Sequence, residues 1–314
     1  MKKVYVVVSL LMLIIGMLAG CSSNGDTKHS AQSQKTEKTA FPVTIKDGSG
    51  DNVTIKQTPK RIVSLVPSNT EIAYKLGLGK EIIGVSDSDD YPKDVKKKTK
   101  IGGTQINVEK VIALKPDLVL ANVALTSPEA IQQLQSNGIK VLVVNDATNF
   151  DQVYQSIKMV GKATGTSEKA ANVVKKMQQQ LAVIKEKTAS VKNEKTVYIE
   201  ISPSPDIYAA GKHTFMDQML KTIHAKNAVT ENNWPKLNEE EVIKLNPDVI
   251  ITTYGDSTKN APQQVLERKG WQQMNAIKNK QVFEVDPDLV NRTGPRIING
   301  VEQLAKAVYP DAFK

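Results

Sequence analysis

Residues 107–120, Asn-Val-Glu-Lys-Val-Ile-Ala-Leu-Lys-Pro-Asp-Leu-Val-Leu, return as Asn-Glu-Glu-Glu-Val-Ile-Lys-Leu-Asn-Pro-Asp-Val-Ile-Ile at residues 238–251. The Asn, a Glu two positions on, the Val-Ile pair, the Leu and the Pro-Asp all match in register. Each copy has the same physical logic. Asn caps a helix, the apolar positions turn one face to a sheet, Lys-Pro or Asn-Pro stops the helix, and an apolar strand enters the core. A unit of this kind cannot bury its apolar face alone, and two copies 131 positions apart in one chain predict two related lobes.

The segments around the repeat alternate in the same way. Val43-Thr44-Ile45 and Val53-Thr54-Ile55 flank the turn-rich Asp47-Gly48-Ser49-Gly50 and predict a hairpin. Apolar strands are expected at 61–66, 82–85, 118–121, 141–144, 196–201, 249–252 and 282–285. Helices are expected from Ser68, Asn107, Ser127, Phe150, Ser167, Phe215 and Asn238, and after Pro295. Strand-helix alternation implies parallel sheets covered by helices. Ser68 and Glu71 are spaced as a capping box at the first of these helices.

Between the halves, Ala170, Val174, Met177, Leu181 and Ile184 recur at helical spacing in a stretch from about 167 to 187 that holds no Gly or Pro. At 1.5 Å per residue such a helix is about 30 Å long and suits a strut. The expected fold is therefore α/β, with two Rossmann-like lobes joined by a long rigid α-helix and a ligand cleft between the lobes. The boundaries follow: 42–150 for the N-terminal lobe, 151–190 for the bridging helices and 191–314 for the C-terminal lobe.

Residues 1–20 read as a lipoprotein signal peptide, with Lys2 and Lys3 ahead of an apolar run too short to span a bilayer comfortably. The run ends in Leu18-Ala19-Gly20 before Cys21, the chain's single cysteine, in the manner of a bacterial lipobox. Cys21 is the expected lipidation site, and 21–41, which is rich in Ser, Gln, Lys and Thr, is the expected lipid-anchored flexible tether. The expected location is the extracytoplasmic face of the cell membrane. With its one thiol used for lipid, the folded part has no disulfide, cysteine-zinc site or cysteine nucleophile. The formal charge of +9 falls to +7 once Lys2 and Lys3 are removed. Export, together with 5% aromatic content and no interleaved basic-aromatic stretch, argues against nucleic acid as a partner.

The equipment of an enzyme is missing. Of three histidines, His29 falls in the tether, and His213 and His224 stand at no metal-ligand spacing. Nucleophile-elbow, phosphate-loop and dinucleotide-binding glycine patterns are absent. The run Asp87-Ser88-Asp89-Asp90 lacks the Gly and distal Glu of a calcium loop and reads as a solvated loop. No catalytic residue, metal or cofactor is expected, and capture without transformation is the reading that remains. A surface-anchored hydrolase is the rival from another class.

Ile62-Val63-Ser64-Leu65-Val66-Pro67-Ser68-Asn69-Thr70-Glu71, Gly84-Val85-Ser86, Asp90-Tyr91-Pro92, residues 107–120, residues 234–240 and Asn291-Arg292-Thr293-Gly294-Pro295-Arg296 together resemble the periplasmic-binding family that serves cobalamin and iron-siderophore importers, and its cobalamin (vitamin B12) binders most. The resemblance implies two lobes bridged by a helix, a cobalamin or corrinoid ligand, and delivery to an ABC permease powered by a separate ATPase. It implies that Glu109 and Glu240 dock on the permease. It also implies that Trp234, Tyr208, Asp288 and Arg292 contact the ligand, with Tyr91 the aromatic remaining on the first lobe. The pattern is broken at Ser88, Gly103 and Asn122, where aromatics are expected. A ferric siderophore or haem is the alternative ligand, and Arg292 and Arg296 are the residues that favour a siderophore. The plain alternatives for Trp234 and Arg292 are a packing aromatic and a loop-holding pair with Asp288.

Overall fold

The computed structural model describes residues 40–314. The signal segment, Cys21 and all but the end of the tether lie outside the described residues. The described residues all belong to one compact unit.

The chain begins with an antiparallel hairpin, β1 (Val43–Lys46) and β2 (Asn52–Ile55). One oxygen of Asp47 organises its turn by accepting from the Ser49 and Asp51 amides at 3.0 and 3.1 Å. The other accepts from the Val143 amide at 3.1 Å and ties the hairpin to the first lobe.

That lobe runs β3 (Ile62–Ser64), α1 (Pro67–Lys75), β4 (Ile82–Val85), β5 (Thr99–Lys100), α2 (Val108–Ala113), β6 (Leu118–Asn122), α3 (Pro128–Ser136) and β7 (Val141–Val144). Its sheet is wholly parallel, in the order β5-β4-β3-β6-β7. Two helices follow, α4 (Phe150–Thr164) and α5 (Ser167–Ala189).

The second lobe runs β8 (Thr196–Ser202), β9 (Ile207–Ala209), α6 (Phe215–Thr222), β10 (Lys226–Asn227), β11 (Lys236–Leu237), α7 (Glu239–Leu245), β12 (Val249–Thr252), α8 (Ala261–Leu266), α9 (Asn275–Lys278), β13 (Val282–Glu284), α10 (Pro287–Asn291) and α11 (Ile297–Val308). Strands β8, β12 and β13 are parallel, as expected, and β10 pairs parallel with β8. Strands β9 and β11 extend the sheet antiparallel. This sheet is therefore mixed, and its antiparallel edge was not anticipated.

The repeat folds alike in both lobes, down to its details. The Asn107 side chain accepts from the Lys110 amide at 2.9 Å, and the Asn238 side chain accepts from the Glu241 amide at 2.9 Å. Lys115 and Asn246 both take the left-handed conformation, with φ of 47° and 41°, ending their helices just before Pro116 and Pro247. The Asp117 carboxylate then accepts from the Lys60 and Arg61 amides at 2.8 and 3.0 Å, and that of Asp248 from the Thr196 amide at 2.9 Å. In each lobe the Pro-Asp pair pins the incoming strand to the start of its neighbour.

Strand alternation sorts the core into layers. Leu118 and Leu120 belong to a large cluster that continues through α4, α5 and α11 to Val197, Ile199, Val249 and Ile251 of the second sheet. Val119 and Ala121 face a separate cluster on the other side of the first sheet, and Tyr198 and Ile250 a third on the other side of the second. The bridging helices are thus part of one core shared by both lobes. Helix α5 has 23 residues and is about 35 Å long. It buries the predicted stripe together with Val173 and Thr188.

One local expectation fails. Helix α1 starts at Pro67 with Val66 as its N-cap, and no side chain caps it. Proline suits the first helical position because its missing N–H would be unpaired there in any case. Ser68 and Glu71 therefore form no capping box, and the buried Glu71 carboxylate is turned to another use.

Candidate ligand cleft

The candidate site is made by loops at the carboxyl ends of strands in both sheets, where α/β folds place their ligands. The loop after β4 is held by Asp89, which is buried and accepts from the Ser86 amide at 2.9 Å and hydroxyl at 2.6 Å. Lys100 donates to the carbonyls of Ser86 and Asp89 at 2.9 and 2.6 Å. Burial raises the Asp89 carboxyl above the ordinary Asp value, while its hydrogen bonds and Lys100 pull the other way. The run 87–90 is therefore not simply a solvated loop, since its third residue is an internal brace. Asn122 does the same work after β6: it is buried, and its side-chain oxygen accepts from the Ala124 and Leu125 amides at 2.9 and 3.1 Å. That brace leaves Val123 and Leu125 out in solvent.

Exposed large apolar side chains are few among the described residues, and five of the six lie on the loops after β4 and β6 or on the β9–β11 edge. Tyr91, Val123 and Leu125 stand on first-lobe loops, Tyr208 on β9, and Trp234 two residues ahead of β11, which pairs with β9 at Tyr208. Their exposures run from 40% at Tyr208 to 64% at Leu125, against near zero for the core around them. Val183 on α5 is the other residue of this kind. Leaving such surface wet costs hydrophobic free energy, which makes these side chains the candidates for contact with a ligand. Val123 and Leu125 were missed from sequence. Their signal was an apolar pair continuing past the end of a strand into a turn.

At the loop after β4 the two lobes are joined by ions. Glu71 of α1 is buried, and Arg296 grips it with two hydrogen bonds, at 2.8 Å from Nε and 2.6 Å from a terminal nitrogen. Arg292 reaches Glu71 at 3.2 Å, Asp90 at 2.6 Å and Asp288 at 2.7 Å. The Arg296 guanidinium also lies 3.9 Å from the centre of the Tyr91 ring. The hydrogen bond to Glu71 holds the Arg296 pKa above its ordinary value. For Arg292, burial opposes the charge, and the Asp90 hydrogen bond and the surrounding carboxylates outweigh it. Burial raises the Asp288 carboxyl despite the adjacent Arg292. Both arginines are thus engaged by carboxylates, so the loop-holding Asp288–Arg292 pair is present and extends across the lobes to Glu71 and Asp90.

Beside this network lies an open pocket of about 610 Å³. Ser88 and Asp90 of the first lobe line it together with Asp256, Glu284, Asp286, Asp288 and Arg292 of the second. Five carboxylates face one guanidinium that is already paired. Among the described residues, no group of three or more His, Cys, Asp or Glu is arranged to hold a metal ion.

Glu109 and Glu240 occupy the same place in the two copies of the repeat, in the first turns of α2 and α7, and both are exposed. Of the three acids opening α7, Glu239 accepts from the Ser204 hydroxyl at 2.9 Å, and Glu241 closes a capping box on the Asn238 amide at 2.8 Å. Glu240 alone of the three is left without such a task among the described residues.

Residues 62–289 match the family model described as periplasmic binding protein. Over the full length of both chains the sequence is 53% identical to the uncharacterized ABC transporter substrate-binding lipoprotein YvrC of Bacillus subtilis (strain 168). It is 29% identical to a cobalamin-binding protein of Halobacterium salinarum, over 86% of this chain and 75% of that one. Among solved structures, a possible iron-binding (periplasmic solute-binding) protein from Staphylococcus epidermidis is 38% identical and superimposes with a TM-score of 0.73, covering 81% of this chain and all of the other.

Proposed function

Because this chain belongs to the periplasmic binding protein family, we propose that it is the lipid-anchored, extracytoplasmic solute-binding protein of an ABC importer, and that its ligand is cobalamin or a close corrinoid relative. The observation that carries the ligand is the composition of the cleft. Exposed aromatic and aliphatic side chains from both lobes (Tyr91, Val123, Leu125, Tyr208 and Trp234) offer area to a broad, flat molecule. The polar rim is acidic, and Arg292 and Arg296 are already bound to carboxylates. A ferric siderophore with its own negative charge, or haem with two propionates, would meet repulsion there and have to break ion pairs to gain a partner. A corrinoid fringed with neutral amides and without net charge, as cyanocobalamin is, is spared most of both costs. Val123 and Leu125 supply apolar surface on the lobe where the aromatics expected at Ser88, Gly103 and Asn122 are lacking. Ligands named for relatives, cobalamin at 29% identity and possibly iron at 38%, bracket the same choice.

In this reading Trp234 and Tyr208 cover one face of the ligand, Tyr91 with Val123 and Leu125 the other, and Asp288 and Arg292 orient its polar edge. Glu109 and Glu240 dock on the permease, which a separate ATPase drives, and Cys21 carries the lipid.

The test is calorimetric titration of the chain from Ser22 onward, which retains the whole compact unit, with cyanocobalamin, a ferric hydroxamate and haem in parallel. One-to-one cobalamin binding that weakens on Trp234→Ala is the expected result. A clear signal from the siderophore or haem with none from cobalamin would keep the importer and overturn the ligand.

A further inference from the structure

Glu200 sits inside the central strand β8, between Ile199 and Ile201, and is fully buried. A carboxylate in such a place is costly to desolvate unless its partners are well arranged. Here they are. Arg268 forks onto it with both terminal nitrogens at 2.9 Å. The Tyr254 hydroxyl donates to Oε1 at 2.5 Å. Arg268 lies 4.2 Å from the centre of the ring of Trp271, which is itself fully buried. Burial, and then the Glu200 charge, raise the Tyr254 pKa and keep its hydroxyl a donor.

The placement in sequence is more informative than the bonds. Tyr254 is the second residue after β12, and Arg268 the second after α8. A single carboxylate therefore holds both ends of the excursion 254–268. Gly255 and Asp256, next to Tyr254, wall the pocket between the lobes. The Gly255 backbone lies so close to the Glu284 carboxylate that a Cβ there would overlap it. An apolar trio of similar volume would stabilise the lobe as well or better. What apolar side chains cannot do is fix the direction in which the excursion leaves the sheet.

We propose that Glu200, Arg268 and Tyr254 are positioning residues for ligand capture: together they clamp the 254–268 excursion, so that Gly255 and Asp256 present a preformed wall to the ligand. The proposal rests on the reading above that the pocket between the lobes receives a corrinoid. A preformed wall spares the cost of ordering a loop on binding.

The test is Tyr254→Phe, which removes one hydrogen bond and leaves the Glu200–Arg268 fork, with Arg268→Lys as a second variant that keeps the charge and loses the fork. Two readouts are taken on each: the Kd for cyanocobalamin, and amide hydrogen exchange at residues 254–260. Exchange there should quicken about tenfold and cobalamin binding should weaken about three- to tenfold, with the melting temperature of Tyr254→Phe within a few degrees of the parent. Exchange within twofold of the parent in both variants would overturn the clamp. Faster exchange with unchanged cobalamin affinity would overturn its role in capture. If the unaltered protein binds no cobalamin, the corrinoid reading fails by itself, and the exchange data still decide the clamp.

Discussion

Replacing Glu71 by Gln keeps the shape of the side chain and removes its charge, at the point where the two lobes are bonded most directly. The Glu71 side chain is 2% exposed, against 14% for Arg292 and 18% for Arg296, so its environment is the driest of the three. Three hydrogen bonds end on its two oxygens, all from guanidinium groups. A Gln would offer one oxygen and turn an N–H₂ donor toward a guanidinium donor. Breaking a buried ion pair from one side costs about 3 to 5 kcal/mol. Arg292 keeps Asp90 and Asp288, and Arg296 keeps a more distant Asp288 at 3.7 Å, so the lower end applies. About 3 kcal/mol in a chain of this size corresponds to a fall in Tm of roughly 6 to 10 °C. Differential scanning calorimetry checks the shift, and urea titration checks the free energy. Adding Arg296→Gln should cost much less than the two single changes combined, because both act on one bond. A Tm within about 2 °C of the parent for Glu71→Gln would refute the reasoning, showing the network to be screened by water despite its burial.

Trp234→Ala should lower cobalamin affinity by about tenfold or more, since covering even half of the exposed indole is worth about 1.5 kcal/mol or above; its Tm should barely move, which separates contact from folding. Burial raises the Asp89 carboxyl, so the native state keeps this proton to higher pH than the unfolded chain does, and the group's contribution to stability falls as pH rises from the ordinary Asp value through the raised one. Asp89→Asn should remove that component, so urea midpoints of variant and parent should differ in a pH-dependent way across that acid window; a difference flat with pH would refute the assignment. Glu109→Lys with Glu240→Lys should abolish uptake in cells while calorimetric ligand binding stays as in the parent. Intact uptake with unchanged binding would remove both from the docking surface.

Much of this molecule could be read from local pattern. The repeat predicted the capped helix, its stop and the following strand in both lobes, because each of these is decided within a few residues by Asn, Pro and apolar spacing. Helix α5 was legible for the same reason. Strands β9 and β11 were not, since three- and two-residue segments are too short to show a period and owe their form to the sheet they join. The aromatics Tyr91, Tyr208 and Trp234 were indicated by the family resemblance rather than by local pattern, and their exposure sets them apart from packing aromatics such as Trp271. Nothing local in the sequence beyond their apolar type marks Val123 and Leu125, which are turned outward by the turn that Asn122 braces. The partners of Glu71 were invisible in principle: they lie 221 and 225 positions away, and at short range the same residue resembled half of a capping box.

That separation in sequence also orders events in time. Within each lobe the parallel strands pair across separations of roughly 20 to 55 residues, so these contacts close much shorter loops than those between the lobes and can form earlier. The bonds from Arg292 and Arg296 to Glu71 close loops of more than two hundred residues and have to wait until both lobes exist. Interactions that form last are absent from the folding transition state. Weakening them should leave the folding rate nearly unchanged and speed unfolding instead. The lifetime of the folded protein thus depends in part on the seam between its halves, where one glutamate is shared by two arginines.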